Sequence, residues 1–167
     1  KLSFIVVSEC KNNLKNVKSV AGKFRMTNKP PPDTPSEFVS VILKPLKSFI
    51  DQYSEVIYRL FRPKEFNFDN WIRSIIENVT QNYSQQIQSL METAQQMDNA
   101  LQRRSKLRST GVSSGNNNTQ MTDSEKIALQ MLLDVQSFGE RIQEICVISP
   151  HEINGYVNLM NEVIESK

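Results

Sequence analysis

The residue pattern predicts an all-α protein: a helical bundle of five or six amphipathic helices with one disordered internal loop. Three observations carry this expectation. Apolar residues recur at alternating intervals of three and four through most of the chain, the repeat that lines one side of a helix. Three segments open on a helix-start signature: Thr34 with Glu37, Thr122 with Glu125, and Ser149 with Glu152. In each, the hydroxyl can accept from the third helical N–H while the carboxylate reaches back to the N–H of the capping Thr or Ser itself. No strand-type alternation of useful length occurs between them.

Size and composition narrow the field. The 167 residues suit a single domain, 1–167. Five Gly against seven Pro, with abundant Gln, Glu, Lys, Leu and Ile, favour helix over sheet. No apolar run approaches the roughly 20 residues of a membrane span, and no secretory signal is found. The first residue is Lys1, with apolar patterning beginning at once, so the chain is expected to be a fragment of a longer protein. Cys10 and Cys146 lie far apart on apolar faces and read as small buried hydrophobes.

The net charge of +2 is unevenly spread. Residues 1–29 hold seven Lys or Arg against one acid, whereas residues 121–167 hold three against eight. This asymmetry predicts that the first helix lies near the last ones or meets an acidic partner.

The first helix carries a stripe of Val7, Cys10, Leu14, Val17, Ala21 and Phe24. Pro30, Pro31 and Pro32 then force an extended linker. The second helix is expected to start at the Thr34 box and to bury Phe38 through Phe61 at helical spacing. Pro45 removes a backbone donor there, so a kink or two shorter helices meeting near Leu43–Lys44 is expected, with Pro63 as the stop. The third helix starts near Asn67 or Asp69 and, if unbroken to about Arg108, is roughly 60 Å long. Its Gln-rich middle has a thin apolar stripe, which predicts a surface helix. Residues 109–120 are small, polar and turn-prone, and read as the disordered loop within the domain. The fourth helix, apolar on several sides, is expected at the centre, with Gly139 marking a close crossing or a kink. A last helix follows the Ser149 box.

Chemistry is sparse. The single histidine, His151, has no Cys or His cluster to join, so neither metal nor cofactor is implied. No phosphate-binding, dinucleotide-binding, zinc-protease or serine-hydrolase motif occurs, and no enzyme is expected. Arg103, Arg104, Lys106 and Arg108 complement the C-terminal dipole of the third helix. With Lys11, Lys15 and Lys18 of the first helix they are the candidate contacts for a partner or an anionic lipid surface. Aromatics do not interleave with these charges, which argues against nucleic acid.

Residues 121–143 read MTDSEKIALQMLLDVQSFGERIQ, and residues 38–46 read FVSVILKPL. The first stretch resembles the C-terminal region of the second subunit of the conserved oligomeric Golgi complex, carried by Asp123, Lys126, Ile127, Leu129, Gln130, Leu133, Asp134, Val135, Gly139, Glu140, Ile142 and Gln143. The second, with Lys44 and Pro45, is a weaker match, and the resemblance runs from about Phe38 to Gln143. It implies a non-catalytic, scaffolding subunit of a helical-rod vesicle-tethering complex, peripheral on the cytosolic face of the Golgi and acting in intra-Golgi retrograde transport. Implied partners are the other subunits, with vesicle-fusion or coat machinery beyond them. The alternative function is a lipid-surface module using the basic first helix. The residues themselves read Leu129, Leu133 and Ile142 as core and Asp134 as a buried charge needing an Arg or Lys. A partner contact is the other reading of Asp134.

Overall fold

Seven α segments and two 3₁₀ turns succeed one another along the described residues, and no strand occurs among them. The structure, a computed structural model, describes residues 2–25, 27, 29–60, 67–108, 121–146 and 148–165, with residues 60 and 105–108 by backbone alone. The elements are α1 (Leu2–Leu14), a 3₁₀ turn (Lys15–Lys18), α2 (Ser19–Phe24), α3 (Val39–Ile42), α4 (Lys44–Leu60), α5 (Phe68–Arg108), α6 (Asp123–Ile145), a second 3₁₀ turn (Pro150–Glu152) and α7 (Asn154–Glu165). The expected loop 109–120 and the stop at Pro63 lie outside the described residues.

The first rod passes through a 3₁₀ turn where its stripe changes period. Val6, Cys10, Leu14, Val17, Val20 and Phe24 are buried. Leu14, Val17 and Val20 are spaced by three, and a 3₁₀ turn, with three residues per turn, keeps such a run on one line. The stripe therefore runs through Val6 and Val20, and the expected Val7 and Ala21 flank it half-buried.

Pro45 divides the second helical region as its chemistry requires. α3 ends at Ile42, Leu43 leaves helical geometry, and α4 starts at Lys44. Pro45 has no N–H for the carbonyl of Val41 four residues back. That carbonyl instead accepts from the Asn13 side chain of α1 at 2.7 Å. Leu46 is buried, but beyond it α4 packs chiefly on α1. Tyr53 and Val56, expected inside, are 42% and 49% exposed. Helical spacing records that a face is apolar, not that a neighbour covers it.

α5 is the spine of the bundle. It runs unbroken for 41 residues, and the side chain of Asn67 accepts from the Asn70 N–H at 2.9 Å at its start. The expected surface position for this helix is overturned: α1, α6 and α7 all pack on it. Ile72, Ile75, Ile76, Val79, Tyr83, Ile87, Leu90, Met91 and Ala94 are buried. α6 and α7 share the middle of α5, where Tyr83 meets Phe138 of α6 while Glu77 and Ser84 bond to Gly155 and Glu162 of α7. Met97 is half-buried and Leu101 is 41% exposed, so the last turns leave the core.

α6 is central, as expected, and Thr122 and Glu125 form the full capping box at its start. Leu129 and Leu133, expected as core, are only half-buried at its edge, while Ile142 is fully buried. The other two boxes do not form. α3 starts at Val39, with no side-chain cap and well after Thr34. Ser149 opens a 3₁₀ turn without capping it, and α7 starts only at Asn154. Glu152 lies 3.6 Å from Arg73 instead of reaching back to Ser149, and its carbonyl accepts from Arg73 at 2.8 Å.

Gly139 marks a close crossing. A Cβ there would lie 2.7 Å from Cζ of Tyr156 on α7, and closer still to its hydroxyl oxygen. α7 also leans on α5, where the Gly155 N–H donates to Glu77 at 3.0 Å. Gly139→Ala is expected to lose about 1–3 kcal/mol of stability by urea denaturation, through overpacking. Tyr156→Phe, lacking the nearest atom, should restore part of that loss in the double variant. A fully stable Gly139→Ala protein would disprove the tight crossing. Asn13→Ala leaves the Val41 carbonyl without its side-chain donor and is expected to lose about 1 kcal/mol in the same assay.

Candidate interaction surfaces

Three polar side chains on α6, Lys126, Gln130 and Asp134, are buried. Their spacing of four places them on one line along the helix, and they meet the linker that joins α2 to α3. Prolines at 30–32 and 35 have no N–H to offer, so much of the linker presents only carbonyls. The line on α6 supplies the matching donors. Lys126 Nζ donates to the Lys29 carbonyl at 2.8 Å, and Gln130 Nε2 donates to the Thr34 carbonyl at 2.9 Å. Where the linker regains a donor, α6 supplies an acceptor: the Ser36 N–H donates to Asp134 Oδ1 at 2.6 Å. Gln130 Nε2 also donates to Asp134 at 2.9 Å, and its Oε1 accepts from Lys23 at 3.0 Å.

Asp134 thus has a structural partner, but not the one expected. Its bonds come from a backbone N–H and an amide rather than from an Arg or Lys. It is completely buried, so it offers nothing to a partner protein from this position. Burial pushes its carboxyl above the usual range, and the Ser36 and Gln130 bonds and the Lys23 charge pull it partly back. Tyr83, buried edge-on against Phe138, has its hydroxyl pushed well up by burial and by the charge of Asp134.

The basic residues whose side chains are described, Lys11, Lys15 and Lys18 on the first rod and Arg103 and Arg104 on α5, lie on different elements. Lys11 is half-buried, and Lys15 and Lys18 are exposed on the first rod. Cys10, Leu14 and Val17 of this rod's stripe are fully buried in the core, whereas Leu2, Phe4 and Ile5 at its start are exposed. Arg103 and Arg104 are exposed, while the side chains of Lys106 and Arg108 lie outside the described residues. The structure does join Arg104 to Arg25 of the α2 terminus on the rim of one cleft. Arg25 was not singled out from sequence, because it comes from a different element and no local spacing links the two. The charge asymmetry is realised in part: α2 packs on α6.

Apolar surface remains outside. Leu2, Ile5, Phe49 and Tyr53 line a groove between α1 and α4, and Phe4 is 77% exposed. No group of three or more metal-ligating side chains occurs among the described residues. Burial raises the Cys10 thiol to about 11, so it stays protonated and inert at neutral pH. No described helix is long and apolar enough to cross a membrane.

The model of the family described as COG complex component, COG2, C-terminal, matches residues 1–135. The chain belongs to that family. The match reaches 37 residues further towards the start than the resemblance noted at Phe38. Conserved oligomeric Golgi complex subunit 2 of Dictyostelium discoideum is 31% identical over 140 residues, covering 83% of this chain and 15% of that protein. The proteins of the same name from Arabidopsis thaliana and Homo sapiens are 25% identical over 154 residues and 29% over 142. They cover 91% and 81% of this chain, and 20% and 18% of their own lengths. This COG2-family chain therefore spans about a fifth or less of these relatives. No solved structure matches it.

A raised carboxyl in the folded state means that the native protein holds this proton to a higher pH than the unfolded chain. The contribution of Asp134 to stability is therefore fullest below its ordinary value of 3.8 and declines as pH rises through its native value. Asp134→Asn keeps the acceptor for Ser36 and removes the charge. Its stability at pH 7 is expected to equal or exceed the parent's, with a flatter profile from pH 4 to 7 in thermal melts. Asp134→Ala, which strands the Ser36 N–H, is expected to lose about 1–3 kcal/mol. An Asn variant clearly weaker than the parent at pH 7 would show that the ionised form is required.

Proposed function

We propose that this chain is part of a non-catalytic subunit of a Golgi vesicle-tethering complex. In this reading residues 1–167 act as one helical-bundle domain that works as a protein-interaction scaffold in intra-Golgi retrograde transport. The observation that carries it is the family match over residues 1–135, together with relatives named as subunit 2 of the conserved oligomeric Golgi complex. The structure supplies what a scaffold needs: a core that fixes each helix, and apolar faces on α1 and α4 left open for neighbours. Its partners are then the other subunits of the complex, with vesicle-fusion or coat machinery beyond them. Its place is the cytosolic face of the Golgi, held there through protein contacts.

Affinity capture of the tagged protein from its own cells, read by mass spectrometry, tests this. Co-purification of further conserved oligomeric Golgi complex subunits in near-equal amounts is the expected outcome. Capture of the tagged protein alone, from cells in which those subunits are intact, would overturn the assignment.

A further inference from the structure

We propose, on the subunit reading given above, that the apolar groove between α1 and α4 seats an amphipathic helix from the part of the same subunit that precedes residue 1. One of the faces left open on this bundle is then covered from within the subunit.

The groove holds about 640 Å³ and is lined by Leu2, Ile5 and Val6 of α1 and by Pro45, Phe49 and Tyr53 of α4. Leu2, Ile5 and Tyr53 are exposed, and Phe4 beside them is exposed further still. These side chains do not sit on a loose helix end. Trp71 Nε1 of α5 donates to Ser3 Oγ at 2.8 Å, which pins the first turn of α1. The Trp71 ring lies 5.1 Å from that of Phe49, and Phe49 lies 5.0 Å from Tyr53. Both walls are thus tied to one indole. They present their apolar side chains in fixed positions, which lowers the ordering cost of a helix laid between them.

The direction of the seam says from which side its cover comes. Along α1 the buried positions are Leu14, Cys10 and Val6, each four residues from the next. The following position in that series is Leu2, and it is exposed. The seam therefore leaves the bundle at the end of α1 to which any earlier residue is joined. An apolar stripe that outruns its cover has room for a further helix.

Length and size decide the occupant. The chain matches 15%, 20% and 18% of the three relatives, and the family model is that of a C-terminal region. The larger share of such a subunit accordingly lies ahead of this chain. A stable contact between separate proteins uses roughly 20–30 residues on each side, whereas twelve line this groove. That is small for a free partner. A helix on the same polypeptide meets the groove at an effective concentration on the order of millimolar, so a small apolar contact suffices. Charge is balanced here: the charged residues of the lining are Glu9 and Lys44, one of each sign. The fit is made by Leu, Ile, Val or Phe at three-and-four spacing on the incoming helix.

Hydroxyl-radical footprinting, read by mass spectrometry, compares the 167-residue chain with the intact subunit, each free of other subunits. Oxidation of Phe4 and Tyr53 is expected to fall at least about fivefold in the intact subunit, as for side chains in the core of an interface. Tyr58, exposed on α4 outside the groove, serves as the internal reference. Phe4→Glu with Ile5→Glu should return Tyr53 of the intact subunit to the rate seen in the 167-residue chain. Both positions are exposed, so the same pair should move the melting temperature of the 167-residue chain by no more than about 2 °C. Equal oxidation of Phe4 and Tyr53 in the two proteins overturns the proposal, as does protection that survives the Glu pair. Protection that appears only when the remaining subunits are added also overturns it, because a sister subunit then fills the groove. The comparison is made on the subunit alone. Its failure leaves the co-purification result standing, and failure of co-purification leaves the footprint readable.

Discussion

The fold depends on how α6 buries Lys126, Gln130 and Asp134. An isolated polar group moved from water to an apolar interior costs several kcal/mol unless a partner replaces the water. Along this line of α6 the partner is a proline-rich linker with few donors and many carbonyls. Two donors on α6 meet two carbonyls, and one acceptor meets the first free N–H after the prolines. The arrangement fixes the linker against the central helix, and with it the position of α3 and the first rod. Lys23 closes the circuit by reaching from α2 to Gln130, so both sides of the linker are tied to the same residue.

The same network explains which local signals survived in the structure. Thr122 caps α6 with both bonds of the box in place, even though Ser124 also lies 3.1 Å from its hydroxyl. At Thr34 the sequence pattern is equally good, yet the Thr34 carbonyl is bound by Gln130, and the Ser36 N–H, within the turn a cap would close, is bound by Asp134. Tertiary bonds from a helix nearly a hundred residues away outcompete the local box. At Ser149 the competitor is Arg73, which holds both the carbonyl and the carboxylate of Glu152. A capping signature specifies an option open to the chain, and long-range partners decide whether it is used.

Helix identity was legible because spacing and proline chemistry are local. The break at Leu43 followed from Pro45 alone. Packing partners were not legible. The thin stripe on α5 suggested the periphery, but α1, α6 and α7 all pack on that helix. The rich stripe on α4 suggested burial, but beyond α1 and α3 it meets only the start of α5, where Phe49 and Tyr58 lie against Trp71 and Phe68, and Tyr53 and Val56 stay exposed. The basic residues illustrate the same limit for the site. Lys11, Lys15 and Lys18 form a sequence cluster without a shared recess, whereas Arg25 and Arg104 share one although 79 positions separate them.

The prolines carry one more consequence. Carbonyls are common to every residue type, so positions 29 and 34 are recognised through their backbone and not through their side chains. Substitution along the linker can be wide so long as its extended course is kept. The three side chains on α6 have no such freedom, since each supplies the one functional group that its site accepts. Tolerance to change is thus divided unequally across a single contact: broad on the irregular strand of chain, narrow on the helix that reads it.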